Sequence, residues 1–346
     1  MQDYQSITEA VQQNCHIADS RFAGDYTMCV YLLKMREFYR WEMGLPFHAP
    51  LPNADVGDWL TAREQLWEDM EKDDFISIPV MKNVFHPFDS NDINNAIESM
   101  NLVYSGGLGS HARPHFFLAE RLQHERHGQY EIYVAGREFA RDLTAPPAMA
   151  QGRTIYIRRE SLRRMLWEKY EEWKWNRNEG AMSRALSFYT FDKDLEQALE
   201  AMTDHELESA KLHEIGEIQA GELLGESWEE MLISLPRSQA ELMVRAVRDH
   251  MADCISTLPT LLEEGRLSSL HFYFGNFRAM RKELFPKLYK AYLNWQDTHD
   301  LSPLKQVIKQ GNGHWQQLAY DILESYNQDK EHCAGHIVPL VENNKL

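Results

Sequence analysis

The sequence lacks any long apolar run. Nothing in its 346 residues approaches the roughly 20 consecutive apolar positions that a membrane-spanning helix needs. The opening stretch, Met1 to Ala10, is polar and shows no secretory signal. Cysteine is scarce as well: Cys15, Cys29, Cys254 and Cys333 stand far apart in the chain. Their spacing excludes a zinc ribbon and a Cys-x-x-Cys redox pair, and they are too few for a disulfide scaffold. Cys29 and Cys254 fall in apolar helical surroundings and read as small core residues. These absences, with 15 methionines, point to a reducing cytoplasm and no membrane. Positive charge is in deficit, 36 basic against 53 acidic residues, for a formal −17. Phosphate backbones repel such a protein, so nucleic acid is not expected as a partner.

Familiar catalytic phrases are missing too. There is no Walker A lysine, no G-x-S-x-G elbow and no H-E-x-x-H zinc helix. Gly107-Leu-Gly109-Ser-His-Ala112 fits the G-x-G-x-x-A pattern in letters only. A dinucleotide needs a helix N-terminus there, but Arg113-Pro114 and a strand-like run follow, so the glycines read as a turn.

What is present reads as a mostly α protein of α+β type. The length suggests about two domains. Residues 14–43 carry a helical period, either as one helix or as two meeting at Gly24. Further helices are expected over 56–70 and 92–100, and a short strand over 75–80. The period then changes: 102–104, 115–119, 130–135 and 154–158 are short, rich in aromatic or β-branched residues and punctuated by glycine and proline. They predict a small antiparallel sheet. Helical spacing returns over 160–176, 194–225, 238–256, 269–297 and 302–326. The expected organisation is a mixed N-terminal domain over 1–160, a helical bundle over 161–330 and a loosely held tail over 331–346.

Charge is uneven. Between Asp194 and Glu230 there are 12 acidic residues and one lysine, Lys211, for a net −11. Between Arg113 and Arg164 there are ten arginines, no lysine and six acids. Arginine's fork suits carboxylate and phosphate, so Arg137, Arg141 and Arg158, which flank predicted strands, are candidates for a small anionic ligand.

One constellation carries chemistry. In His213-Glu214-Ile215-Gly216-Glu217, His213 and Glu217 share a helix face. Glu206 lies on roughly the same stripe, and the next helix offers Arg245, Asp249 and Asp253 at four-residue intervals. Two antiparallel helices of this kind can turn His213, Glu217, Asp249 and Asp253 toward one point, as carboxylate-bridged metal sites in bundles do. Imidazole with several carboxylates suits iron, manganese or zinc. Glu214, about 100° off that stripe, would act as an acid/base group. The competing reading is a salt-bridge network in which Arg245 and Arg248 neutralise Asp249 and Asp253. A protein-binding role for the helical surface is the remaining alternative.

Several phrases resemble a bacterial family of conserved proteins of unknown function. They are Cys15-His-Ile-Ala-Asp19, Tyr31-Leu-Leu-Lys-Met-Arg36-Glu-Phe-Tyr-Arg-Trp41-Glu42, Phe116-Phe-Leu, Gly136-Arg-Glu-Phe-Ala-Arg141-Asp142-Leu, His213-Glu-Ile-Gly-Glu217 and Arg248-Asp-His-Met-Ala-Asp253. The resemblance covers most of the chain and carries no activity over. It directs attention to Asp19, Arg36, Glu42, Arg141, Asp142, His213, Glu217, Asp249 and Asp253, with Asp19 or His16 completing a site if the first helix packs on the bundle.

Overall fold

The computed structural model describes residues 2–109 and 113–346, so the end of the Gly107–Ala112 phrase lies outside the described residues. The chain divides into two compact units, Met1–Trp167 and Glu168–Leu346.

The N-terminal unit opens with α1 (Gln2–Phe22), a 3-10 turn, α2 (Met28–Glu42) and α3 (Asn53–Met70). The helical period over 14–43 is thus broken at Gly24. Strands β1 (Ile78–Val80) and β2 (Asn83–Phe85) form a hairpin, followed by α4 (Ser90–Ala96). The main sheet contains β3 (Leu102–Leu108), β4 (Pro114–His127), β5 (Tyr130–Arg141), β6 (Ala148–Gln151) and β7 (Thr154–Arg158), in the order β3-β4-β5-β7-β6. Its pairings are antiparallel except one: β7 runs parallel to β5. The chain first lays β6 at the edge, then turns back through Gly152 at φ +57° to set β7 in the gap.

Residues 115–119 of β4 are buried without alternation, which requires cover on both sheet faces. Phe116 and Leu118 pack with Ile7, Val11 and Cys15 of α1 on one side. Phe117 and Ala119 pack with Val103, Tyr133 and Tyr156 on the other. Cys29, expected in a core, is exposed, because the first half of α2 faces outward: Met28 is 69% and Leu33 60% exposed.

α5 (Arg159–Asn176) leads into the helical unit: α6 (Ala181–Leu186), α7 (Leu195–Leu224), α8 (Glu226–Ser234), α9 (Gln239–Ala252), α10 (Leu258–Glu263), α11 (Leu267–Asn276), α12 (Ala279–Leu284), α13 (Pro286–Thr298), α14 (Ser302–Gln328) and α15 (Cys333–Asn343). The expected helix over 269–297 is three pieces, and the second break falls at Pro286, which cannot continue a helix from Phe285. The expected loose tail is α15, with Cys333, Ile337 and Val341 buried against the bundle core. The helix is only eleven residues long and contains Pro339, which masks its helical period.

Two details position the site. The 30-residue α7 starts at Asp194, whose side chain accepts a hydrogen bond from Gln197 N, and ends at Gly225 with φ +73°. Between α9 and α10 the helix widens to a π turn over Asp253–Thr257. This turn lies just before Pro259, whose ring would otherwise meet the carbonyl of Ile255. α7 and α9 also approach closely, because a Cβ on Gly216 would lie 2.5 Å from the Ala252 carbonyl oxygen. Among the described residues no helix is long and apolar enough to cross a membrane.

Replacing a helical glycine by alanine ordinarily stabilises by about 1 kcal/mol. Gly221, with open space around its Cβ position, should behave so. Gly216→Ala should instead cost about 1–3 kcal/mol, as overpacking does. Chemical denaturation of the two variants checks the opposite signs; stabilisation of both would mean that the helices do not meet at Ala252.

Candidate acid–base site

The close approach at Gly216 sets the middle of α7 against the end of α9. There His213 Nδ1 lies 2.9 Å from Asp253 Oδ1. The Asp253 side chain is 1% exposed, whereas that of His213 is 32% exposed. The second Asp253 oxygen accepts the Tyr273 hydroxyl at 2.8 Å and a hydrogen bond from the Arg281 guanidinium. Three donors, from α7, α11 and α12, therefore converge on one buried carboxylate. Glu217 completes the outer side: its Oε1 is 3.8 Å from His213 Nε2, and its Oε2 accepts from Arg248 Nη2 at 2.5 Å.

The electrostatics follow from this geometry. Burial opposes ionisation of Asp253, but Arg281 and then His213 outweigh it and hold the carboxyl well below the usual range. Burial likewise opposes the His213 cation, yet the hydrogen bond and charge of Asp253 push it up to about 10. His213 is accordingly an imidazolium at neutral pH, with Nδ1–H donating to Asp253. Glu214, nearly buried beside it, is pushed up to about 7 by burial. Asp249 is raised chiefly by burial, while Glu217, despite burial, is lowered by Arg248 and His213.

A further layer fixes Arg281. His250, with no exposed surface, has Nε2 3.0 Å from the Arg281 carbonyl oxygen and stacks on Trp315 with ring centroids 4.7 Å apart. Burial, then Arg281, lowers it to about 3, so the neutral ring donates that hydrogen bond.

The sequence-predicted residues thus meet, but they meet arginines. His213, Glu217, Asp249 and Asp253 are electrostatic neighbours in one cluster, and Arg248 and Arg281 occupy carboxylate edges that the expected iron, manganese or zinc would need. Among the described residues no group of three or more His, Cys, Asp or Glu is arranged to hold a metal ion. Arg245 pairs with Glu241 at 2.7 Å rather than with Asp249. Glu206, on the same helix, takes Ser269 Oγ at 2.9 Å and is pushed up to about 7 by burial. Tyr273 and Arg281 escaped sequence reasoning, since they lie 20 and 28 residues beyond Asp253.

The arginines considered for an anionic ligand divide. Arg137 is exposed, its guanidinium 5.7 Å from the Phe139 ring. Arg141 and Arg158 are sealed inside: Arg158 Nε donates to Glu138 Oε1 at 2.9 Å and lies 4.4 Å from the Phe117 ring, and Arg141 stacks on Trp41. They hold the interior around Glu138 and do not line a mouth to solvent. Asp19 accepts Leu143 N with both oxygens, and His16 lies 2.8 Å from an Arg63 nitrogen, so both have partners within the N-terminal unit.

Fold and cluster define a two-part protein: a unit built on a mixed sheet, and a helical unit holding a buried His–carboxylate–arginine cluster. Two family models match it, the N-terminal domain of the family of unknown function DUF6866 over residues 6–158 and the C-terminal domain of that family over residues 163–344. The chain belongs to this family. No curated protein and no solved structure matches it.

Asp253→Asn leaves Arg281 and His213 facing a neutral group in the interior. Breaking a buried pair in this way should cost about 3–5 kcal/mol. The sign with pH is set by a depressed carboxyl: the stabilisation is full above the ordinary aspartate range and fades as pH falls through the native value. Denaturant titrations near neutrality and near about pH 3 should therefore show a gap between wild type and variant that narrows in acid. A gap that is absent or pH-independent would remove Asp253 from this role.

Proposed function

We propose that the protein is an enzyme whose proton-transfer site is centred on His213, Glu214 and Asp253. The observation that carries this reading is the asymmetry of the His213–Asp253 pair. The aspartate is wholly buried and clamped by Tyr273 and Arg281, whereas the histidine it orients is one-third exposed. A clamped carboxylate fixes an imidazole's tautomer and direction, which is the arrangement by which such pairs support catalysis. Here the imidazolium serves as a fixed positive donor for negative charge developing on a substrate. Glu214, pushed up to about 7, supplies the group that exchanges a proton at working pH. Clusters of perturbed titrating groups beside a π turn are frequent at functional sites.

The same residues read as a metal centre gain no support from the geometry, because guanidinium groups already neutralise Glu217 and Asp253. A chemistry of carbon acids, esters or other substrates that gain negative charge in the transition state fits the donor set better than one requiring a coordinated oxidant.

The test is turnover of a small-molecule extract followed by mass spectrometry, with wild type, Glu214→Gln and His213→Gln. Wild type should consume at least one compound whether or not chelator is present. Glu214→Gln, which keeps shape but cannot take a proton, should slow consumption by about 10²-fold or more. Turnover equal in all three proteins, or abolished by chelator and restored by a divalent cation, would overturn the proposal.

A further inference from the structure

In the N-terminal unit, the end of α1, the start of α2 and one face of α3 enclose an open cavity of about 430 Å³. That size falls within the range of small-molecule sites. Its aromatic lining is Tyr26, Tyr31 and Trp67, and its charged lining is Glu64, Glu68 and Glu71. The glutamates recur at i, i+4 and i+7 and so share one face of α3. Among the described residues, no lysine, arginine or histidine lines the cavity.

The walls are held in place from behind. Tyr31 donates its hydroxyl to Glu64 Oε1 at 2.9 Å. Trp67, 5% exposed, donates Nε1–H to His16 Nδ1 at 3.3 Å, which anchors the indole's polar edge away from the opening. Negative potential comes from the glutamates at the rim. The nearby cations have other partners: Arg21 donates to the backbone carbonyls of Glu71 and Asp73, Arg113 pairs with Asp25, Arg63 with Glu42, and the Lys34 ammonium lies 5.1 Å from the Tyr26 ring. The Lys34 contact shows that this ring accepts a cation. Tyr31 and Trp67 are the aromatic walls that remain.

Aromatic faces combined with carboxylates distinguish one ligand class. A divalent metal gains nothing from the rings, and an anion is repelled by the glutamates. An organic ammonium ion uses both, through cation–π attraction to the rings and ion pairing at the rim. We propose that this cavity is a binding site for a small organic ammonium compound, an alkylated amine or polyamine. The site is independent of the His213 cluster.

Calorimetric titration of the full chain with choline, spermidine and Mg²⁺ tests the proposal. Exposed Glu64 and Glu68 allow a Glu64→Gln/Glu68→Gln double variant that keeps the fold, and Tyr31→Leu removes one ring. Choline or spermidine should bind wild type, and each variant should weaken that binding by about tenfold or more. Stronger choline binding would assign the larger share to the rings, and stronger spermidine binding the larger share to the carboxylates; either supports the site. Binding of Mg²⁺ alone, binding unchanged in both variants, or no heat from either amine at millimolar concentration would overturn it.

Discussion

A carboxylate placed where water cannot reach must find its solvation in the protein, and Asp253 is the residue at which this requirement organises the helical unit. An ionised group in a low-dielectric interior is costly unless several donors surround it. Asp253 collects three of them, His213 from α7, Tyr273 from α11 and Arg281 from α12. Other features of the unit become intelligible from this point. Gly216 lets α7 come near enough for His213 to reach. The π turn beginning at Asp253 absorbs the mismatch that Pro259 imposes on the helix. His250 gives up its solvation altogether to hold the backbone of Arg281. Each of these would be a cost in isolation, and each is offset by the pairing of one charge.

The N-terminal unit handles buried charge by the same rule at Glu138. Ser161 and Arg158 both donate to one of its oxygens, at 2.7 and 2.9 Å. Despite burial, Arg158 and Arg141 hold the glutamate below its ordinary range. Here no member of the group reaches solvent, so the cluster reads as a device of architecture: polar partners from β5, β7 and α5 meet at one carboxylate only in the native register. The His213 ring differs in being one-third exposed, which the proposed acid–base role requires.

Much of the fold was legible because long amphipathic stretches declare their period. The helices over 160–176, 194–225 and 302–326 and the four strands of the middle region follow directly from spacing. Elements with a short or interrupted stripe were not legible: α15 is only eleven residues and contains Pro339, and β6 is only four residues of unremarkable composition. The parallel pairing of β5 with β7 depends on where β6 goes, which no local pattern records. At the site, the i,i+4 relation of His213 and Glu217 and the four-residue step from Asp249 to Asp253 identified the right faces. The partners are ones that spacing cannot supply, because Tyr273 on α11 and Arg281 on α12 lie 20 and 28 residues beyond Asp253. Identical His and carboxylate spacing suits a metal or an arginine, and spacing alone does not distinguish them; here Arg248 and Arg281 pair with Glu217 and Asp253.

The central claim is that the buried Asp253 charge keeps His213 protonated, and ring-nitrogen chemical shifts of His213 followed from about pH 5 to about pH 11 measure it most directly. An Nδ1–H donated to Asp253 and a midpoint near 10 are the predicted result. A midpoint near the ordinary histidine value of 6.5, with the ring neutral and free to change tautomer at neutral pH, would contradict it.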